Sequence, residues 1–197
     1  EGSALGERAL INALLAARAA GDSQNLYRLA GEIEKKYPKS KQLSAIYSTV
    51  GRTAYARFEL DQAIKYFGLA AGANSARRVS LWVAEGQIRQ QLADTMGARN
   101  AFEMALKAAD KPAAKNQAAV ALAGLLEKAG DHARIISKLK PIENEANPET
   151  LAFLGMAMIR KGDTENGEAV LQRVLDSSGG ASQDARARAF YGQAEAF

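Results

Sequence analysis

The 197-residue sequence contains no cysteine and a single histidine, His132. The lack of cysteine excludes a disulfide framework, thiolate catalysis, iron–sulfur clusters and zinc sites with sulfur ligands. One imidazole excludes a histidine-rich metal site and any mechanism that needs two histidines. We therefore expect neither a metal nor another cofactor.

Long apolar runs are also missing, since no stretch approaches the roughly 18 residues of a membrane span. The 26 Lys and Arg exceed the 22 Asp and Glu by only four, and the two signs are interspersed. Nucleic-acid binders cluster their positive charge, so this distribution argues against such a partner. With only four prolines and abundant Ala, Leu, Glu, Lys and Gln, the chain is expected to be helical.

One pattern recurs with a period near 34 residues. Its two strongest copies share five positions: a large aromatic, a glycine, an alanine, a phenylalanine and another alanine. These are Tyr47, Gly51, Ala63, Phe67 and Ala70 in one copy, and Trp82, Gly86, Ala98, Phe102 and Ala105 in the next. Every position is shifted by 35 residues, which indicates an internal repeat.

Weaker copies extend the pattern over the whole chain, which we interpret as a single solenoid domain over 1–197. The predicted repeats cover residues 7–40, 44–77, 79–112, 116–147 and 148–181, followed by a final helix at 183–197. Each copy has the apolar spacing of two helices. A Gly-Asp pair at 21–22, 130–131 and 162–163 separates them. Glycine can end the first helix in a left-handed conformation, and aspartate can cap the second.

These residues resemble the tetratricopeptide repeat family, from about residue 7 to residue 196. The resemblance implies an all-α fold, a right-handed superhelical solenoid of about five and a half helix-turn-helix repeats and eleven helices. The sequence departs from the family pattern at Arg89, where an aromatic residue is usual, and at Ile135, where a small residue is usual. Pro141 falls inside a predicted second helix, so we expect that helix to be kinked or shortened near residue 140.

No enzyme signature is found, and we expect a non-catalytic protein. His132 follows a predicted turn and is interpreted as an exposed turn residue. Carboxylate pairs such as Glu143 and Glu145 are interpreted as solvated helix faces. Trp82 occupies a core position of the repeat, so its expected role is structural.

The resemblance also implies a binding surface, because the first helix of each pair lines the concave side in this family. Ten residues carried over by position form the predicted partner-binding groove: Arg18, Arg52, Tyr55, Gln87, Gln90, Gln91, Phe153, Met156, Arg160 and Phe190. Arginine can bind a carboxylate with two hydrogen bonds, and glutamine can satisfy an extended backbone. Phe153, Met156, Ile159 and Phe190 are expected either to form an apolar patch or to pack against a further half-repeat.

The function that these features favour is a protein–protein interaction scaffold that binds a protein or peptide segment. Tyr37-Pro38-Lys39-Ser40 resembles the helix junction of bacterial envelope and pilus-assembly tetratricopeptide proteins, so we expect an assembly factor of the bacterial periplasm or envelope. A chain that starts at Glu1 leaves room for a signal peptide or lipid anchor upstream. The alternatives are a regulatory or recruiting domain of a larger enzyme or transcription regulator, and an RNA-binding helical repeat.

Overall fold

The computed structural model describes residues 3–73, 76–177 and 180–196. Within these ranges the chain forms eleven α-helices and one 3-10 helix, and no strand. The prediction of an all-helical fold is therefore confirmed. The helices are α1 (Ala4–Ala19), α2 (Ser23–Lys36), α3 (Leu43–Ala56), α4 (Leu60–Gly72), α5 (Arg78–Gln91), α6 (Thr95–Ala108), α7 (Pro112–Lys128), α8 (His132–Leu139), the 3-10 helix (Lys140–Glu145), α9 (Pro148–Arg160), α10 (Thr164–Asp176) and α11 (Gln183–Glu195).

Most helix starts follow the predicted repeats closely, although α1 begins at Ala4 and the first repeat was predicted from residue 7. First helices begin at residues 43, 78, 148 and 183, each within one residue of the predicted 44, 79, 148 and 183. The fourth begins at Pro112 instead of residue 116, because proline at the first helical position costs no hydrogen bond. Residues 74, 75, 178, 179 and 197, which belong to the predicted second repeat, fifth repeat and final helix, lie outside the described part of the chain.

The chain packs as two compact units whose division falls inside α6, between Ala98 and Arg99. In the first unit α1 packs against α2, α3 against α4, and α4 against α5. In the second unit α7 packs against α8, while α9 packs against both α10 and α11. Consecutive helix pairs are thus present in each unit, and one continuous solenoid over 1–197 stays a prediction.

All five turns within helix pairs contain one residue in the left-handed backbone region. Three of these residues are the glycines that the sequence indicates, with φ of 78° at Gly21, 69° at Gly130 and 85° at Gly162. The other two are Phe58 and Ala93, both with φ of 59°. An acidic residue follows every one of them. The Gly-Asp signature is therefore absent from two of the five equivalent turns, because their left-handed residue is not glycine.

Small residues let the paired helices approach closely, as predicted for the repeat. A Cβ on Gly51 of α3 would lie 2.9 Å from Cδ1 of Phe67 on α4. A Cβ on Gly155 of α9 would lie 2.6 Å from Cδ2 of Leu171 on α10. Glycine removes the side chain at the point of contact, and the large apolar side chain of the partner helix fills the space.

The fourth pair ends irregularly, which confirms the expected effect of Pro141. Helix α8 has only eight residues and ends at Leu139, and a 3-10 helix continues to Glu145. Proline lacks a backbone N–H and clashes with the preceding turn, so it cannot continue an α-helix. Ile135, at the position where the family prefers a small residue, is 1% exposed and belongs to the core.

The core is formed by the repeat positions. Phe102 is completely buried, as predicted for a residue that fills the space between helices. Trp82 is only partly buried and packs against the edge of the core of the first unit. His132 is the first residue of α8 and is half-buried, so it is less exposed than the sequence indicated.

Candidate partner-binding surfaces

Six of the ten predicted groove residues lie on the first helices of the first unit. The turn residues give a common register for them. Arg18, Tyr55 and Gln90 each precede the left-handed residue of their turn by three positions. Arg52 and Gln87 precede it by six, and Gln91 by two. Arg18, Tyr55 and Gln90 therefore occupy one equivalent position in successive helix pairs. Arg52 and Gln87 occupy a second equivalent position.

The side chains of this set are available for a partner. Arg18, Arg52, Tyr55, Gln87 and Gln91 are exposed, and Gln90 is half-exposed. No described residue forms an ion pair or a side-chain hydrogen bond with any of the six, and the Tyr55 side chain is 45% exposed. We call Arg18, Arg52, Tyr55, Gln87, Gln90 and Gln91 the first-unit surface.

The remaining predicted residues, in the second unit, are largely engaged with their own chain. The guanidinium of Arg188 on α11 lies 4.0 Å from the ring centroid of Phe153 on α9 and also bonds to Glu127 on α7. Met156 is only 3% exposed, and its sulfur would lie 3.2 Å from a Cβ on Gly192 of α11. Phe153 and Met156 thus contribute to the packing of α9 against α11.

Arg160 joins the same network of charges. Its Nε donates to Oε2 of Glu195 at 3.1 Å, and its Nη1 lies 3.7 Å from Oε1 of Glu127. The bond to Glu195 is the main reason that the pKa of Arg160 is raised above its usual value. A cavity of about 500 Å³ adjoins this network, but its arginines already have carboxylate partners.

The predicted apolar patch of the second unit does not form a continuous exposed surface. Met156 and Ile159 are buried, Ile159 at 8% exposure. Phe190 is 62% exposed and Tyr191 beside it is 59% exposed. The apolar residues of α9 pack against α10 and α11 of the same chain, and Phe190 is the member of the patch that faces solvent.

Neither a membrane-spanning helix nor a metal-binding cluster occurs within the described residues. In that part of the chain no helix combines the length and the apolarity that crossing a bilayer requires. Residues 3–73, 76–177 and 180–196 also contain no group of three or more His, Asp and Glu side chains arranged to hold a metal ion.

Comparison with known proteins gives similarity at the level of the fold. No family model and no curated protein sequence matches the chain. The structure of YrrB, described as a TPR protein with an unusual peptide-binding site, matches with a TM-score of 0.57 at 16% identity, over 83% of this chain and 79% of YrrB. PilF of Pseudomonas aeruginosa matches with a TM-score of 0.53 at 12% identity, over 96% of this chain and 86% of PilF.

A third solved structure repeats the same result. A putative kinesin light chain from Podosopora anserina, with nearly identical TPR-like repeats, matches with a TM-score of 0.50 at 13% identity, over 85% of this chain and 92% of that one. The chain has the tetratricopeptide-repeat fold. At these identities the likeness shows the fold alone, and any partner has to be argued from the side chains of this chain.

Several residues that shape the surfaces of this protein were missed by sequence reasoning. Arg188 and Glu195 on α11 are not among the predicted groove residues, although Arg188 forms an ion pair with Glu127 and Glu195 forms one with Arg160. Their position follows only from the packing of α11 on α9. Glu85 was missed as well, although an acidic residue at a core position is a signal that sequence alone could have supplied.

Proposed function

We propose that this protein is a non-catalytic scaffold whose first-unit surface binds an extended, acidic segment of a partner protein. The proposal rests on which arginine, tyrosine and glutamine side chains are exposed and unpaired. Arg52, Tyr55 and Gln87 are exposed and have no hydrogen-bond or ion-pair partner among the described residues, whereas Arg160 is committed to Glu195 and Glu127.

The three side chains supply complementary interactions. The Arg52 guanidinium can bind a carboxylate with two parallel hydrogen bonds. Tyr55 offers a large, rigid ring with few rotatable bonds, which is typical of residues at the centre of interfaces. Gln87 can donate to and accept from the backbone of an extended peptide. Such a set recognises a segment with an acidic side chain near a bulky apolar one.

The distribution of charge supports an acidic partner. Residues 1–98 contain thirteen Lys and Arg but nine Asp and Glu, whereas residues 99–197 contain thirteen of each. The whole formal charge of +4 therefore resides in the first half of the sequence. An excess of positive charge accelerates encounter with an acidic segment, and salt screens this attraction beyond about 8 Å at physiological ionic strength.

The test removes the three side chains together. The R52A/Y55A/Q87A variant and the wild-type chain are used to capture partners from the source organism. A peptide with the sequence of the captured segment is then titrated by calorimetry at low and at physiological salt. We expect binding to weaken by about 1–3 kcal/mol in the variant, the usual effect of removing central interface residues.

A matched control removes the same residue types from other surfaces, through Q24A/R28A/Y191A. These residues are exposed, so both triple variants should keep the melting temperature of the wild type. Equal affinity of both triple variants for the peptide would contradict the proposal.

The proposed cellular setting is the assembly of a bacterial envelope complex. It is supported by the resemblance of Tyr37-Pro38-Lys39-Ser40 to the envelope-type helix junction, and by the likeness of the fold to PilF of Pseudomonas aeruginosa. In the structure this junction binds back to α1, because the Ser40 hydroxyl donates to the Glu7 carboxylate. Fractionation of cells that express the tagged, full-length gene product tests the setting, and recovery in the cytosol alone would contradict it.

A further inference from the structure

Two charged residues on α5 occupy positions that are apolar in every other helix pair. Counted from the left-handed turn residue, Glu85 stands eight positions before it and Arg89 four positions before it. The equivalents of Glu85 are Ala13, Val50, Leu122 and Leu154, and those of Arg89 are Ala17, Ala54, Leu126 and Met158. All of these equivalents except the exposed Ala13 are buried or partly buried, so the charges of the third pair call for another explanation.

The charges form a chain of interactions that leaves one oxygen without a donor. Arg89 Nε donates to Oε1 of Glu85 at 2.8 Å, and Arg89 Nη1 donates to Oδ2 of Asp94 at 2.7 Å. The Glu85 side chain is 8% exposed. Its Oε2 is buried and has no hydrogen-bond partner among the described residues. A buried oxygen without a donor costs free energy, which a donor from a ligand would recover.

This carboxylate forms part of the wall of a groove in the first unit. The groove has a volume of about 620 Å³ and lies along α4, between α5 on one side and α2 and α3 on the other. Oε2 of Glu85 lies against Gly68 in the same wall, 3.1 Å from the position that a Cβ on Gly68 would occupy. The terminal carboxylate torsion is soft, so this oxygen can rotate toward the groove that Glu85 lines.

Aliphatic side chains, two aromatic rings and charged groups of both signs make up the rest of the lining. Trp82 and Tyr47 contribute rings, and Glu34 contributes a second carboxylate. The ammonium of Lys65 also lines the groove but lies 5.4 Å from the centroid of the Tyr66 ring. Arg89 is shared between Glu85 and Asp94, so that this trio carries a net negative charge.

We propose that this groove binds a lysine or arginine side chain from a basic segment of a partner protein. The aliphatic stem of such a side chain packs on apolar surface while its charged end reaches a polar group. Aromatic rings attract cations, and an ammonium or guanidinium provides the donor that the Glu85 carboxylate lacks. The occupant is therefore basic, in contrast to the acidic segment proposed for the first-unit surface.

The chain provides its own reporter, because Trp82 is its single tryptophan. Short synthetic peptides of alternating lysine and glycine, and of alternating glutamate and glycine, are titrated into the full chain. Binding is followed by the tryptophan fluorescence and by the one indole N–H signal in a nitrogen–proton correlation spectrum. We expect the lysine peptide to shift the indole signal in a saturable way and the glutamate peptide to leave it unchanged.

Two variants separate loss of the site from loss of the fold. E85Q keeps the size of the side chain but removes its charge, and E85L/R89M installs the residues found at the equivalent positions of the fifth pair. Both variants should bind the lysine peptide with an affinity lower by about tenfold or more, as expected when one partner of a buried charge contact is removed. The control E165Q removes an exposed carboxylate of α10 and should bind like the wild type.

The proposal is overturned if the lysine peptide leaves the indole signal unchanged, if the glutamate peptide shifts it as strongly, or if E85Q and E85L/R89M, with wild-type melting profiles, retain wild-type affinity. The R52A/Y55A/Q87A variant distinguishes this site from the first-unit surface. It should bind the lysine peptide normally, and loss of that binding would show that the groove is not a separate site.

Discussion

The side-chain oxygen of Asn116 on α7 accepts a hydrogen bond from the Thr150 hydroxyl on α9 at 2.7 Å, and both residues are buried. The same oxygen accepts from the backbone N–H of Asn147 at 2.7 Å. The amide nitrogen donates to the carbonyls of Pro112 and Glu145, each at 2.8 Å. One amide thus connects the start of α7, the end of the 3-10 helix and the first turn of α9, beside the point at which Pro141 ends α8 early.

We expect N116A to lower the free energy of unfolding by about 3 kcal/mol, because it leaves several buried polar groups without partners. T150V removes a single hydroxyl of nearly the same shape and should cost about 1 kcal/mol. Urea titration followed by far-ultraviolet circular dichroism gives both values. If the two variants lose the same stability, Asn116 does not have the connecting role described.

The turn residues predict two stabilising substitutions. Phe58 and Ala93 have φ of 59°, a conformation that costs a residue with a Cβ about 1–2 kcal/mol. Because glycine adopts it freely, F58G and A93G should each raise the free energy of unfolding by about 0.5–1 kcal/mol, after the larger entropy of glycine in the unfolded chain is subtracted.

The control for these turns is A16G, at an exposed position inside α1, which should cost about 1 kcal/mol. Thermal denaturation of the three variants gives the comparison. Destabilisation by F58G as large as that by A16G would mean that the Phe58 side chain contributes packing that its 86% exposure does not indicate.

Replacing the buried charges of α5 should have opposite effects, depending on whether one or both are removed. R89M leaves the Glu85 carboxylate buried without its ion pair and should cost about 3 kcal/mol or more. E85L/R89M replaces the pair with apolar residues that pack in other helix pairs and should be neutral or stabilising by about 1–4 kcal/mol. A double variant that is less stable than R89M would show that the pair stabilises the fold.

Glu85 should also make stability depend on pH. Burial raises its pKa above the ordinary value of 4.5, and the hydrogen bond and the charge of Arg89 offset only part of this effect. The native chain therefore holds a proton at pH values at which the unfolded chain has lost it, so stability falls as the pH rises from 4.5 through the raised pKa. Above the raised pKa the penalty for the buried charge is complete.

The variant E85Q cannot titrate at this position and should lack this fall. Asp94 acts in the opposite direction, since the Gly97 backbone N–H and Arg89 lower its pKa, and E85Q retains the Gly97 bond. Unfolding free energies of both proteins from about pH 4 to about pH 8 make the comparison. Identical pH dependence of the wild type and E85Q would contradict the assignment to Glu85.

Periodicity alone was enough to predict the helix pairs. The contact between Gly51 and Phe67 follows from a small residue and a large apolar residue that recur at fixed spacing, and the short α8 follows from Pro141. Both depend on local geometry, which the sequence contains. The left-handed conformation of Phe58 and Ala93 could not be predicted, because the surrounding fold imposes on them a conformation that their side chains do not favour.

The availability of each candidate binding residue depended on contacts between residues far apart in the sequence. Met156 and Arg52 both stand six positions before the left-handed residue of their turns, yet Met156 is buried against α11 while Arg52 is exposed. Arg160 bonds to Glu195, which is 35 residues away in the sequence, and Arg188 bonds to Glu127, which is 61 residues away. Sequence by itself determined which residues are helical and which helices pair, because those properties arise from short-range spacing. Only the tertiary structure decided which side chains remain free for a partner, because burial and ion pairing are set by the helix that packs alongside.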